Sequence, residues 1–276
     1  MFQRFYEPDP ILKGVVNNIM IDHVTVEPFE TRSPFSIPPL PEHAIIFYLG
    51  DRPFSEDVVS KKKDRLSSCV IIGPQVVRHE ISPGQNHFVI KVGFQPGGLA
   101  KFLRIPAYEL LVQDHFDATD ILGSEIHQVI GQLMENSTYL EKKEIVEKYL
   151  LQRIRPLGNR RYLDDVFANV IRCRGVVDID KLIADACLSR RQFERLFREQ
   201  IGLSPKYFSR LVRFGQAWIL KQQKPGISWT EIAYESGYFD QMHLIRDFNE
   251  FAGVNPGAIE KELLGSPARF AVRFHQ

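Results

Sequence analysis

Cysteine is scarce in this 276-residue chain: Cys69, Cys173 and Cys187 are widely spaced, odd in number and form no C-x-x-C pair. A disulfide framework or a structural zinc site needs thiols at short, paired spacings, so neither is expected, and a reducing, cytoplasmic setting is. Long apolar runs are missing as well. No stretch approaches the roughly 20 consecutive apolar residues of a membrane helix, and the opening residues MFQRFYEPDP carry no apolar run of the secretory kind, so no membrane is expected among its partners. G-x-S-x-G, the P-loop pattern and G-x-G-x-x-G are absent, which removes the commonest local signatures of acyl transfer, phosphate cradling and dinucleotide binding. No H-x-H pair occurs either. His43, His79, Glu80 and His87 have no spacing that fits a metal-ligand set, so they read as surface or hydrogen-bonded groups, and neither a metal nor another cofactor is expected.

Net charge is small, +1 overall, but it is unevenly spread. Residues 1–164 hold 19 Lys and Arg against 21 Asp and Glu. Residues 189–224 hold nine basic residues against only Glu194 and Glu199, a net of +7, and residues 225–276 return to −3. One short basic segment inside a nearly neutral chain attracts phosphate backbones through counterion release.

The length suggests two domains. In the first hundred residues, short runs rich in β-branched and aromatic side chains (18–27, 44–49, 69–72, 76–81 and 87–94) are separated by turn signals such as Gly73-Pro74 and Ser82-Pro83-Gly84. They predict a small β-barrel or sandwich, entered by a proline-rich extended loop at 33–42. Phe47, Tyr48, Phe88 and Phe94 either line a cavity or fill its core. After Gly98 the apolar period lengthens to about 3.6, predicting helices over 99–103, 107–111, 124–135, 139–153 and 163–172. The Pro- and Gly-containing stretch 155–161 is the expected linker, dividing a 1–160 domain from a 161–276 domain.

The C-terminal third contains a repeat with an offset of 51 residues. SRRQFERLFREQIGLSP at 189–205 matches DQMHLIRDFNEFAGVNP at 240–256, aligning Ser189 with Asp240, Phe193 with Leu244, Phe197 with Phe248, Gly202 with Gly253 and Pro205 with Pro256. Ser and Asp cap helix N-termini, and an apolar pair four residues apart lies on one helix face. Gly supplies the left-handed residue that ends a helix, and Pro prevents its continuation. A shorter helix precedes each capped one, at 179–187 and 230–236, where Ile183-Ala184 and Ile232-Ala233 are read as a bulky–small pair at a close crossing. Two such units, about 178–202 and 229–253, predict tandem helix-turn-helix motifs. The helix predicted between them at 205–222 spans about 27 Å, the right order of length for adjacent major grooves about 34 Å apart.

Residues from about 178 to 260 resemble the DNA-binding domain of the AraC/XylS family of bacterial transcription regulators. The resemblance is carried by both capped helices, the G-x-S-P and G-x-N-P endings and the strut pattern Arg213-Phe-Gly-Gln-Ala217. Gly73-Pro74-Gln75 and 93–98 (GFQPGG) are similar to cupin-like sensory domains of that family. The implied fold is α+β: an N-terminal cupin-like β-barrel with following helices, then an all-α bipartite helix-turn-helix domain. The implied function is transcription regulation, not catalysis, with double-stranded DNA and a small-molecule effector as partners, a homodimer as the assembly, and RNA polymerase as a partner if the protein activates. A cupin-type metalloenzyme with an accessory helical domain is the alternative. Ile259 and Glu260 stand where the family usually has an aromatic and then a basic residue, which puts a phosphate contact there in question.

With the apolar pairs buried, the first unit turns Arg190, Arg191, Glu194, Arg195 and Arg198 outward; Arg reads guanine and Glu can accept from cytosine. The resemblance implies Arg191, Glu194 and Arg195 as base readers. The second unit turns out Gln241, Met242, His243, Ile245 and Arg246, with Gln241 suited to adenine, Met242 to a thymine methyl and Arg246 to guanine or phosphate. Lys206 and Arg210 are expected at phosphates.

Overall fold

The turn-punctuated first half folds into two antiparallel sheets in the computed structural model, which describes residues 1–27, 33–135, 138–154 and 162–265. Its strands are β1 (Phe2–Tyr6), β2 (Val16–Thr25), β3 (Phe35–Ile37), β4 (Ala44–Tyr48), β5 (Phe54–Asp57), β6 (Lys63–Arg65), β7 (Cys69–Ile72), β8 (His79–Ser82), β9 (Asn86–Phe94) and β10 (Phe116–Asp117). A six-stranded sheet runs β1-β2-β9-β4-β7-β10 and a four-stranded sheet β3-β8-β5-β6. The α+β division expected from the sequence is present, but the sheets are not closed into a barrel: no ladder joins them among the described residues. The proline-rich loop also contributes the short strand β3, because Phe35 pairs with Ile81 and buries its ring.

Register fixes which face does what. Ile19 lies opposite Val92 and Ile21 opposite Ile90, so these side chains, with Ile45, Phe47, Cys69 and Ile71, share one face and one core. Phe94 joins that core, Tyr48 fills a smaller one on the opposite face with Val70 and Val89, and Phe88 is half-buried against His23. Phe47, Tyr48 and Phe94 therefore fill cores, and Phe88 packs at the edge of the larger one.

The helices are α1 (Gly98–Leu103), α2 (Ala118–Leu122), α3 (Glu125–Met134), α4 (Tyr139–Arg153), α5 (Tyr162–Arg172), α6 (Ile179–Asp185), α7 (Arg190–Ile201), α8 (Pro205–Gln223), α9 (Trp229–Glu235), α10 (Gln241–Phe251) and α11 (Pro256–Gly265), with a 3-10 turn at Ala107–Leu111. The expected linker at 155–161 lies outside the described residues. α3 and α4 close over the large sheet's core through Ile126, Val129, Leu133, Val146 and Leu150.

The second core is aromatic. Phe167, Phe193, Phe197 and Phe208 meet edge-to-face or tilted at 5.0–5.7 Å, and Phe214, Trp218, Phe248 and Phe251 form a second group. Fully burying one such ring contributes about 1.5–3 kcal/mol. α8 supplies Phe208 to the first group and Phe214 and Trp218 to the second, so a 19-residue helix about 28 Å long is anchored at both ends.

Candidate nucleic-acid interface

Each helix-turn-helix unit is built by local chemistry legible in the chain. Ser189 caps α7 by accepting from Gln192 N, and Gln192 reciprocates; Asp240 caps α10 by accepting from His243 N. Gly202 and Gly253 end these helices with φ of +86° and +72°. The turns differ in length, because α6 is followed by four residues before α7 and α9 by five before α10. Gly237 supplies the left-handed residue in the second turn, whereas Cys187, with φ +52°, supplies it in the first.

One detail of the expected crossing needs correction. Ala233 is buried beneath α10 as read, but Ala184 is exposed; Leu182 and Ala186 face the core in the first unit. Both short helices bury an i, i+4 pair, Leu182 with Ala186 and Ile232 with Ser236, so the small residue at the first crossing is Ala186.

α7 buries Phe193, Leu196, Phe197, Gln200 and Ile201 and leaves Arg190, Arg191, Glu194, Arg195 and Arg198 exposed. These five line one open groove of about 790 Å³ together with Glu199 and Tyr108 of the 3-10 turn. Within it Arg190 pairs with Asp180 and approaches Glu194 at 3.9 Å, and Arg195 pairs with Glu199 at 2.6 Å. Arg191, Arg198 and Lys206 have no ion-pair or hydrogen-bond partner among the described residues. Surface pairs of this sort contribute little and exchange readily for phosphate or base contacts.

On α10, Gln241, Met242, His243 and Arg246 are exposed and Ile245 is half-buried. Gln241 Oε1 accepts from Thr230 at 3.0 Å, and His243 Nδ1 lies 3.0 Å from the capping Asp240. Sequence reasoning missed the aromatic Phe239 and Tyr234 beside them, both almost wholly exposed. Phe239 precedes the Asp240 cap, so its place at the mouth of the unit was legible from that motif.

Arg210 is placed otherwise than expected. It turns inward from α8, donating to Asp247 through Nε at 3.0 Å and Nη2 at 2.7 Å and pairing with Glu250, beside the rings of Tyr207 and Phe251. It ties the strut to α10 and does not stand among the open cations. Lys221 is likewise internal: it donates to the Pro225 and Ile227 carbonyls at 2.9 Å and pairs with Glu260 at 2.7 Å. Glu260 also accepts from Trp229 Nε1, and Ile259 is fully buried, so the departure after Pro256 is a packing solution joining α11, α8 and α9.

A helix-turn-helix domain family matches residues 182–262, from within α6 through α7, the strut, α9 and α10 into α11. This segment is an AraC-type helix-turn-helix domain. The AraC-type segment is 35% identical over 85 residues to the HTH-type transcriptional regulator MtrA of Neisseria gonorrhoeae, covering 31% of this chain and 28% of that protein. It is 32% identical over 81 residues to the HTH-type transcriptional regulator GbdR of Pseudomonas aeruginosa, covering 29% and 22%. The matches thus span less than a third of these relatives' length. A domain family of unknown function matches residues 4–115. ToxT of Vibrio cholerae aligns over 90% of this chain and 99% of its own, at 12% identity and a TM-score of 0.48.

Elsewhere, His79 and His87 are buried, lying 3.8 Å from Asp114 and 3.6 Å from Asp22. Burial pushes the pKa of His43 down to about 4, against the opposing pull of Glu42. No group of three or more His, Cys, Asp or Glu side chains that could hold a metal ion occurs among the described residues. No helix among them is long and apolar enough to cross a membrane.

Proposed function

We propose that the protein is a sequence-specific DNA-binding transcription regulator that places α7 and α10 in adjacent major grooves. The observation that carries this reading is the pair of capped helices, each with one face locked in an aromatic core and the other presenting base-reading side chains. Arg191, Glu194 and Arg195 read bases in the first groove, with Arg190 and Arg198 beside them. Gln241, Met242, His243 and Arg246 serve the second, and Lys206 contacts phosphate. Arg210 is left out, since its guanidinium is already engaged. The first unit dominates affinity because it holds more cations.

The N-terminal half, residues 1–160, is the sensory part, responding to a small organic effector. The reading is supported by its direct packing on the DNA-binding half, which gives an effector a route to the reading helices. A homodimer through the N-terminal half or α3–α4 fits the exposed Met134 and Leu140. RNA polymerase is a partner if the protein activates, and the cytoplasm is its place of action.

The test is fluorescence anisotropy of the full chain on its own upstream DNA and on random duplex across a salt series. Arg191→Ala and Arg195→Ala should each cost about 1–3 kcal/mol on the specific duplex and less on the random one. Equal losses on both would reduce these residues to phosphate contacts, and no specific binding would remove the reading.

A further inference from the structure

The ends of the two reading helices occupy equivalent places in the 51-residue repeat, and both rest against the N-terminal half. A Cβ at Gly202 would stand 2.5 Å from Pro74 Cγ and 3.0 Å from the Ala107 carbonyl oxygen. A Cβ at Gly253 would meet Val58 and Val59, in the turn after β5, at 3.5 and 3.7 Å. At this second corner Arg78, next to β8, donates from Nε to the Ala252 carbonyl at 2.9 Å and from Nη1 to Ser36 Oγ on β3 at 3.0 Å. Arg78 is only 5% exposed.

The last carbonyls of a helix have no intrahelical partner, and a cation there is favoured by the helix dipole. A buried guanidinium that satisfies one of them favours a single position of α10, since a shift would break the bond between Arg78 Nε and the buried Ala252 carbonyl. Within the C-terminal half the two units are joined by the strut α8 and by Val176, ahead of α6, which packs on Gly237 in the second turn. Arg78 adds a path outside that half, running from α10 through the small sheet to Pro74 and Ala107 against α7. A tie at the far end of α10 narrows the range of angles that the strut and the turn contact leave to the two helices.

We propose that Arg78 is a positioning residue for DNA reading: it holds α10 at a set orientation to α7 and so sets which spacing of half-sites the protein accepts. The inference rests on the DNA-reading function proposed above. It is distinct from base contact, because Arg78 is buried between the halves.

Duplexes enriched by the full-length wild type from a random pool supply the probe, used as selected and with one base pair inserted between half-sites. For wild type the insertion weakens binding by about tenfold or more; for Arg78→Ala it weakens binding by less than about threefold, and Arg78→Lys recovers most of the discrimination. Binding to a duplex carrying only the first half-site stays equal in all three. A merely structural loss lowers binding to all duplexes together and leaves the insertion ratio unchanged, and that result overturns the proposal. If Arg78→Ala does not fold, Ser36→Ala is read instead: a ratio reduced below the wild-type value supports the proposal and an unchanged ratio overturns it. A wild type that enriches no sequence defeats the DNA-reading function and this inference together. A wild type that discriminates spacing no better than Arg78→Ala defeats the inference alone.

Discussion

Replacing Arg210 with Ala separates an internal tie from a phosphate contact. Asp247 is 4% exposed and receives two hydrogen bonds from this guanidinium, so the substitution strands a buried carboxylate. Removing one partner of a fully buried pair costs about 3–5 kcal/mol. The Arg210 side chain is itself 25% exposed and Glu250 42%, so water reaches part of the network, which brings the expected loss to about 2–3 kcal/mol. In a chain of this size that lowers Tm by roughly 5–10 °C. Adding Asp247→Asn removes the stranded charge and should recover part of the loss, read as a coupling term in urea unfolding. The slope of log affinity against log salt should stay unchanged in Arg210→Ala, whereas Arg198→Ala or Lys206→Ala should lower it by about 0.9 if each meets a phosphate, with stability unaltered. An Arg210→Ala chain of full stability with a reduced salt slope would refute the assignment and restore Arg210 to the DNA surface.

Cys187→Gly should stabilise the first unit by about 0.5–1 kcal/mol, since the exposed cysteine holds a left-handed φ of +52° that glycine adopts without strain; chemical denaturation with no gain would argue against that strain. His43 gives a pH dependence with a definite sign. Its folded pKa, about 4, lies below the ordinary value of 6.5, so the unfolded chain binds the extra proton. Stability from the neutral ring is complete above about pH 6.5 and is lost as pH falls towards 4, by about 2 kcal/mol at pH 5. Urea midpoints at pH 7.5 and 5 should diverge less in His43→Gln than in wild type, and parallel declines would sink the assignment.

Elements with a strict local cause were legible in the sequence. α7 and α10 fall where Ser189, Asp240, Gly202 and Gly253 place them, because caps and left-handed glycines act within a few residues. The outward residues of α7 followed from burying Phe193 and Phe197. What depended on distant partners was not legible. α4 shows no single apolar stripe because two of its charged residues are buried: Lys142 donates to the Leu133 and Glu135 carbonyls ending α3, and Glu147 accepts from Asp9 N. The strand expected at 76–81 begins only at His79, because Val76 packs into the C-terminal core and Arg78 is drawn to Ala252. The +7 segment overstated the open charge, since Arg210 and Lys221 are spent inside the fold. No periodicity reveals that the two halves meet at equivalent corners of a repeat.

The central claim is that two helices of one chain read two neighbouring grooves, and selection of bound sequences from a random duplex pool tests it most directly. The result expected is two enriched blocks with centres about one helical turn, roughly 10–10.5 base pairs, apart, with preference at the first block relaxed by Arg191→Ala and at the second by Arg246→Ala. A single enriched block insensitive to Arg246→Ala, or no enrichment at all, would contradict it.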